Sequence, residues 1–214
     1  MQTLIFANGE FNPPQDFDKL LAEADLIIAT DGGAQHCQKL GLRPHILIGD
    51  FDSIPVTTRR DLESQGVRVF AYPVVKDQTD LELAFLRAQQ EGAKELTVLA
   101  GLGRRWDHSL ANLLLGGHPK FAELRVRFLH GEQRLYILRG KNKLAAQPGE
   151  RVSLLPLSGD VIGVSSRRLA YPLDNETLHF GSSRGVSNIV LAVDAEVNLH
   201  SGVLLCVISP SEDK

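Results

Sequence analysis

Leu26-Ile27-Ile28-Ala29-Thr30-Asp31-Gly32-Gly33, residues 26–33, sets the pattern for the first half of the chain. A short apolar run reads as a strand, and an acidic, glycine-rich turn leads from it into a helical pattern from Ala34 to Leu40. The same unit recurs on both sides. Upstream, Thr3-Leu4-Ile5-Phe6-Ala7 reads as a strand ending at Asn8-Gly9, and Asp16 stands where it can cap a short helix through Leu20, Leu21 and Ala24. Downstream, Ile46-Leu47-Ile48 is a third strand with a helix near Thr58 to Gln65, and Val67-Arg68-Val69-Phe70 is a fourth. Leu81, Ala84, Phe85 and Ala88 fall on one helical face closed by Gly92. Leu96-Thr97-Val98-Leu99 is a fifth strand, Leu110, Leu113 and Leu114 mark the next helix, and Arg125 to Leu129 forms a sixth strand. Strands alternating with helices predict right-handed crossovers and a parallel sheet with helices on its faces.

From Gly131 the rhythm changes. Turn signals at Arg139-Gly140, Pro148-Gly149, Ser158-Gly159, Asp174-Asn175 and Ser201-Gly202 separate β-prone stretches at 151–155, 161–164, 189–193 and 203–208. Short strands without a helical period predict an antiparallel sandwich or barrel-like unit, with the boundary between Gly131 and Gln147.

Composition narrows the classes. The 214 residues carry a net charge of -3, which gives no electrostatic case for a nucleic-acid partner. No apolar run approaches the roughly 18 residues of a membrane span, and no secretory signal precedes the first strand, so the expectation is a cytoplasmic protein without a membrane partner. Cys37 and Cys206 fit no metal-ligand spacing, and Cys206 reads as a buried free thiol.

The acidic and glycine-rich motifs fall at the carboxyl ends of the strands, where open parallel sheets bind ligands. Asp31-Gly32-Gly33 follows the second strand, Gly49-Asp50-Phe51-Asp52-Ser53 the third, Lys76-Asp77-Gln78-Thr79-Asp80 the fourth, and Gly101 to His108 the fifth. Asp50 and Asp52 in an extended segment point the same way about 7 Å apart. Their charges repel by roughly 2 kcal/mol at an effective dielectric near 20. Asp80, with Asp77 or Asp107, adds to that repulsion, and a divalent cation would reverse it. Mg²⁺, which takes one or two carboxylates plus phosphate oxygens, suits the set, whereas the plainer alternative is that these aspartates cap turns. Gly32 and Gly33 either admit a phosphate close to backbone amides or simply make the turn. Lys76 and Arg105 are either phosphate partners or solvated charges. His108 and Asn112 share a helix face, and Asp107 begins that helix, where it can also cap it. A Gly-Lys-Ser/Thr phosphate loop is missing from the sequence.

In order and spacing these loops resemble the thiamine diphosphokinase (thiamine pyrophosphokinase) family. The resemblance rests on Asp31 to Ala34, Gly49 to Ser53, Lys76 to Asp80 with Glu82, Arg105 to His108 with Asn112, Leu169 to Leu173 and Gly185 to Asn188, and it spans roughly Leu4 to Leu205. It implies an α/β chain, with a parallel-sheet catalytic domain at 1–135 and an antiparallel β-sandwich that binds thiamine at 136–214. It also implies a homodimer. The implied reaction moves a diphosphoryl group from ATP to the hydroxyl of thiamine with Mg²⁺, by attack on the β-phosphorus with AMP leaving.

The roles it implies are catalysis by Asp50, Asp52, Asp80 and Asp107, with Asp50, Asp52 and Asp80 holding the metal. Nucleotide contacts fall to Asp31, Gly32, Gly33, Lys76, Asp77, Thr79, Arg105 and His108. Thiamine contacts fall to Tyr171, Ser187 and Asn188. Two positions depart from the family pattern. Arg104 stands where a glycine usually precedes the arginine, and would either crowd the phosphates or give them another charge partner. Tyr171 stands where tryptophan is frequent, and either stacks on thiamine or packs into the sandwich. A sister enzyme acting on another heterocyclic alcohol, such as a hydroxymethylpterin, and a non-catalytic nucleotide or thiamine sensor remain as alternatives.

Overall fold

A computed structural model describes residues 1–52 and 54–211. Ser53, the last residue of the third-strand motif, lies outside the described residues. The chain forms two compact units, the first from Met1–Asn112 with Phe128–Gly131, the second from Leu113–Arg127 with the residues from Glu132 onward.

The first unit is the alternating pattern made real. Strands β1 (Gln2–Phe6), β2 (Leu26–Thr30), β3 (Ile46–Gly49), β4 (Arg68–Ala71) and β5 (Glu95–Leu99) line up in the order β5-β1-β2-β3-β4. Every neighbouring pair among these five is parallel, with Phe6 level with Ala29 and Leu99. All five therefore deliver their carboxyl ends to one edge. Helices α1 (Phe17–Ala22), α2 (Gly33–Lys39), α3 (Val56–Ser64), α4 (Asp80–Gln90) and α5 (Trp106–Gly117) follow β1 to β5 in turn. The α4 face predicted from its spacing is buried as Leu81, Ala84, Phe85 and Ala88, and packs on β2 and β3. Phe6, Ala29, Leu47 and Leu99 anchor one core layer, with Phe11 and Phe17 meeting Phe6 at its margin.

Helix starts are less regular than the sequence suggests. Thr79 caps α4 by accepting the Glu82 amide at 3.2 Å. Asp16 does occupy the α1 cap position, but its side chain makes no capping bond.

Strand β6 (Arg125–His130) precedes the antiparallel region. In the second unit β7 (Gln133–Leu138), β9 (Arg151–Pro156), β12 (Asn188–Ile189) and β14 (Leu204–Ser209) form one antiparallel set in the order β12-β9-β14-β7. Strands β8 (Lys141–Lys143), β10 (Val161–Arg167), β11 (Glu176–Leu178) and β13 (Glu196–Asn198) form a separate four-stranded sheet, β11-β10-β13-β8. One apolar core draws on both, from Val152, Leu154, Leu204 and Cys206 to Val161, Val164, Leu178 and Val197, which is the construction of a sandwich. The strand expected at 189–193 stops early. Only Asn188–Ile189 belong to β12, Val190 makes a single bridge to Leu169, and Leu191 and Val193 turn outward into solvent.

Both cysteines are buried free thiols, and burial pushes each up to about 12, so neither is a nucleophile at neutral pH. Among the described residues no helix is long and apolar enough to cross a membrane.

Candidate active site

The carboxyl edge of the parallel sheet borders a cavity of about 450 Å³. Its lining comes from Asn8 and Gly9 after β1, Thr30 at the end of β2, Val74 to Leu81 in part, Gly101 and Gly103 to Arg105 after β5, and His108 and Asn112 on α5. Tight backbone approaches build this edge. A Cβ on Gly9 would lie 2.4 Å from the Ala100 carbonyl, and one on Gly33 2.0 Å from the Phe6 carbonyl. A Cβ on Gly32 would fall onto the Asn8 side-chain amide. The Gly32-Gly33 pair thus lets α2 start hard against the end of β1.

Three carboxylates converge beside this edge. Oxygen atoms of Asp31, Asp50 and Asp52 all lie within 4.8 Å of one another. Asp31 is buried with φ at 39°, and its Oδ1 accepts the Phe51 amide at 3.0 Å. That bond draws the Asp50-Phe51-Asp52 turn back over β2, with Phe51 itself at φ 62°. The Asp52 amide donates to Asp50 Oδ1 at 3.2 Å, and this bond, more than the neighbouring lysine, holds the Asp50 carboxyl below its ordinary pKa.

Lys76 joins this group to α4. Its Nζ lies 3.6 Å from Asp50 Oδ2 and 3.1 Å from Asp80 Oδ1. Burial pulls the ammonium down, but the two carboxylates outweigh it and its pKa stands above the ordinary lysine value. Among the described residues the buried Asp80 Oδ1 has no well-aligned hydrogen bond, and the Lys76 ammonium meets it as an ion pair. The close-set carboxylate oxygens of Asp31, Asp50 and Asp52 are hard donors that fit a small divalent cation.

The loop after β5 is held from α5. Asn112 Nδ2 donates to the Gly101 carbonyl at 2.7 Å, and the buried Ser109 hydroxyl donates to the Arg105 carbonyl at 3.0 Å while accepting the Gly103 amide at 3.1 Å. Arg105 grips Asp107 through two bonds, Nη2 to Oδ2 at 2.5 Å and Nε to Oδ1 at 3.2 Å. The guanidinium pushes the exposed Asp107 carboxyl down to about 2. Asp107 lies in the first turn of α5, behind Trp106. Arg104 sits at φ 53°, a conformation that costs a side-chain-bearing residue roughly 1–2 kcal/mol.

In the second unit Asn188 is buried and fully engaged. Its Oδ1 accepts the amides of Tyr171 and Ile189, each at 2.9 Å, and its Nδ2 donates to the Tyr171 carbonyl at 2.6 Å. Tyr171 is 61% exposed, so it is not packed into the sandwich. Ser187 is exposed at φ 60°, its amide bonded to Ser153. A Cβ on Gly185 would meet the Leu154 carbonyl at 2.3 Å, which accounts for the glycine that starts this segment.

Two family models match the chain. "Thiamin pyrophosphokinase, catalytic domain" covers residues 17–128, and "Thiamin pyrophosphokinase, vitamin B1 binding domain" covers residues 141–204. The chain belongs to the thiamin pyrophosphokinase family. It is therefore a kinase by class. The thiamine pyrophosphokinase of Bacillus subtilis is 27% identical over 210 residues, spanning 97% of this chain and 98% of its own length. That of Caenorhabditis elegans is 24% identical, over 95% and 87%. A crystal structure of the Bacillus subtilis protein superposes with a TM-score of 0.81 at 25% identity, covering 98% of this chain and 99% of its own. The family protein from Enterococcus faecalis shares the fold with a TM-score of 0.84 at 23% identity, over the full length of both chains.

The residues expected to act in this thiamin pyrophosphokinase family member divide into clear groups. Lys76, Thr79, Asp80, Arg105 and His108 line the cavity. Asp31, expected on the nucleotide, has its carboxylate with Asp50 and Asp52, while Asp80 reaches Asp50 through Lys76. Asp77 and Asp107 are exposed and are not among the lining residues. Asn8, Gly9 and Thr30 line the cavity without having been given a role from the sequence, and Gln78 lines it from within the Lys76–Asp80 motif, where it too had none. For Asn8-Gly9 the available signal was their place after a strand, on the same edge as the acidic loops.

Proposed function

We propose that this chain catalyses Mg²⁺-dependent transfer of a diphosphoryl group from ATP to the hydroxyl of thiamine, releasing AMP. The observation that carries the reading is the convergence of Asp31, Asp50 and Asp52, linked through Lys76 to Asp80, beside a nucleotide-sized cavity in a chain of this family. Asp50, Asp52 and Asp80, with Asp31, are the carboxylates that would hold Mg²⁺. The bound ion would neutralise phosphate charge as the β-phosphorus is attacked in line.

The chain's own groups position the reactants. Lys76 can turn from Asp50 and Asp80 toward the phosphates when a cation takes up the carboxylate charge. Arg105, Thr79 and His108 face the same space, and Gly32-Gly33 keep α2 close against the sheet edge. Asp107, with its pKa near 2, holds almost no proton at neutral pH. It is a weak base, and its role is to aim Arg105 or the incoming hydroxyl rather than to take a proton. Tyr171 presents its ring for stacking on a flat heteroaromatic cation, Ser187 offers an exposed hydroxyl next to Asn188 in sequence, and Asn188 fixes the segment that carries Tyr171. A homodimer and a cytoplasmic location belong to the same proposal, the former testable by light scattering.

The direct test incubates the protein with ATP, Mg²⁺ and thiamine and follows AMP and thiamine diphosphate by mass-resolved chromatography. Equal amounts of both, lost on chelation of the metal, are expected. AMP formed only with another heterocyclic alcohol would replace thiamine as acceptor. Binding of ATP or thiamine without turnover would replace the enzyme with a sensor.

A further inference from the structure

We propose that Arg104 is a phosphate-binding residue of the nucleotide site, one that responds to the length of the anionic tail. The inference rests on the nucleotide reading of the cavity and adds a residue specific to this chain. Three strong cations line the cavity, namely Lys76, Arg104 and Arg105. Lys76 is engaged by Asp50 and Asp80, and Arg105 is held in two bonds by Asp107. Among the described residues, Arg104 alone of the three has no carboxylate at ion-pair distance.

Its backbone points the same way. Arg104 is the centre of a three-residue turn in which the Arg105 amide donates to the Gly103 carbonyl at 2.6 Å, with φ at 53° for Arg104 and 93° for Gly103. Glycine would take that conformation without strain. An exposed arginine whose only partner is water gains nothing that offsets it. An arginine lining a cavity that receives a triphosphate does, because a charge-assisted contact with phosphate is among the stronger polar interactions. The Arg104 charge also extends to the Asn8-Gly9 side of the site. His36, whose ring bonds the Gly9 carbonyl at 3.1 Å, titrates below its ordinary value mainly through burial, with Lys39 and Arg104 adding to the effect.

The test compares the wild-type chain with Arg104→Gly and Arg104→Lys by calorimetric titration of ATP and of AMP, with Mg²⁺ and without thiamine. Arg104→Gly should weaken ATP binding about tenfold, or ~1.4 kcal/mol. AMP binding should fall no more than about threefold, since a shorter tail offers fewer charges. Arg104→Lys keeps the charge and the strained backbone, and should recover most of the ATP affinity. In turnover the glycine variant should raise the KM for ATP with kcat within about threefold, as expected for a contact made equally in ground and transition states.

Two results would overturn the assignment. The first is ATP affinity unchanged in Arg104→Gly. The second is an affinity loss that Arg104→Lys fails to restore, which would trace the effect to loop shape. A wild-type chain that binds no ATP would remove the nucleotide reading itself, and the Arg104 assignment with it.

Discussion

The cavity edge of the first unit and the Tyr171–Asn188 segment of the second solve opposite problems. At the cavity edge, charges from several separate turns converge, and backbone strain at Asp31, Phe51 and Arg104 marks where the chain bends to bring them in. In the second unit one buried neutral amide, Asn188, satisfies three backbone groups and leaves an aromatic ring in solvent. The first arrangement concentrates like charge that a cation and phosphates can complete. The second is already complete in itself and offers only a surface. Groups that act on charge in the reaction should therefore govern turnover, and groups that present a surface should govern affinity.

The largest expected effect tests the first half of that contrast. Asp52→Asn removes one charge from the carboxylate group without changing its shape, and kcat should fall about 10³-fold, with the KM for thiamine within a few-fold. A kcat within tenfold of wild type would break the distinction between the two regions.

Next is the clasp. Asn188→Ala leaves the partly buried Tyr171 amide and carbonyl without their partner and should cost about 2 kcal/mol, lowering Tm by roughly 4–8 °C. An unchanged melting curve would mean that Asn188 holds nothing in place. Tyr171→Ala should do the reverse. Its exposed ring contributes little to the fold, so Tm stays within about 1 °C. The KM for thiamine rises about tenfold instead, with kcat within about threefold. Equal losses of kcat in Tyr171→Ala and Asp52→Asn would erase the contrast.

The smallest effect concerns the exposed Arg105–Asp107 pair. The folded pKa of Asp107, about 2, lies below its ordinary value of 3.8. Whatever stability the pair gives is therefore present above pH 4 and disappears as pH falls through 2. Thermal melts of wild type and Arg105→Gln should differ slightly at pH 5 and converge toward pH 2. A gap that widens on acidification would show that Arg105 works through another partner.

The parallel half was legible because each buried strand is a short apolar run and each helix shows a 3.6-residue period, as α4 does through Leu81, Ala84, Phe85 and Ala88. Strands β8, β11 and β13 span three residues each, too few for alternation to register. The 189–193 run carries Leu191 and Val193, which suggest a strand, yet both are exposed. Apolar character alone does not tell a buried strand from an outward turn. In the site, residue type and position after a strand pointed to Asp50, Asp52, Asp80, Lys76 and Arg105. The same signals could not tell Asp31, which joins the other carboxylates, from Asp77, which does not.

By itself the sequence determined the α/β order, the change to antiparallel strands and the edge on which the acidic loops lie. Those properties depend on local periodicity and on the rule that parallel strands share a direction. Only the tertiary structure decided which charges meet. Asp31 reaches Asp50 and Asp52 because the buried Asp31 carboxylate accepts the Phe51 amide, and Lys76 spans Asp50 and Asp80 because β3 and α4 bring them within its reach. Asn188 became a clasp for the same reason. Asp31 and Phe51, Asp50 and Lys76, and Tyr171 and Asn188 lie far apart in the chain, and spacing along the sequence carries no record of the distance across the fold.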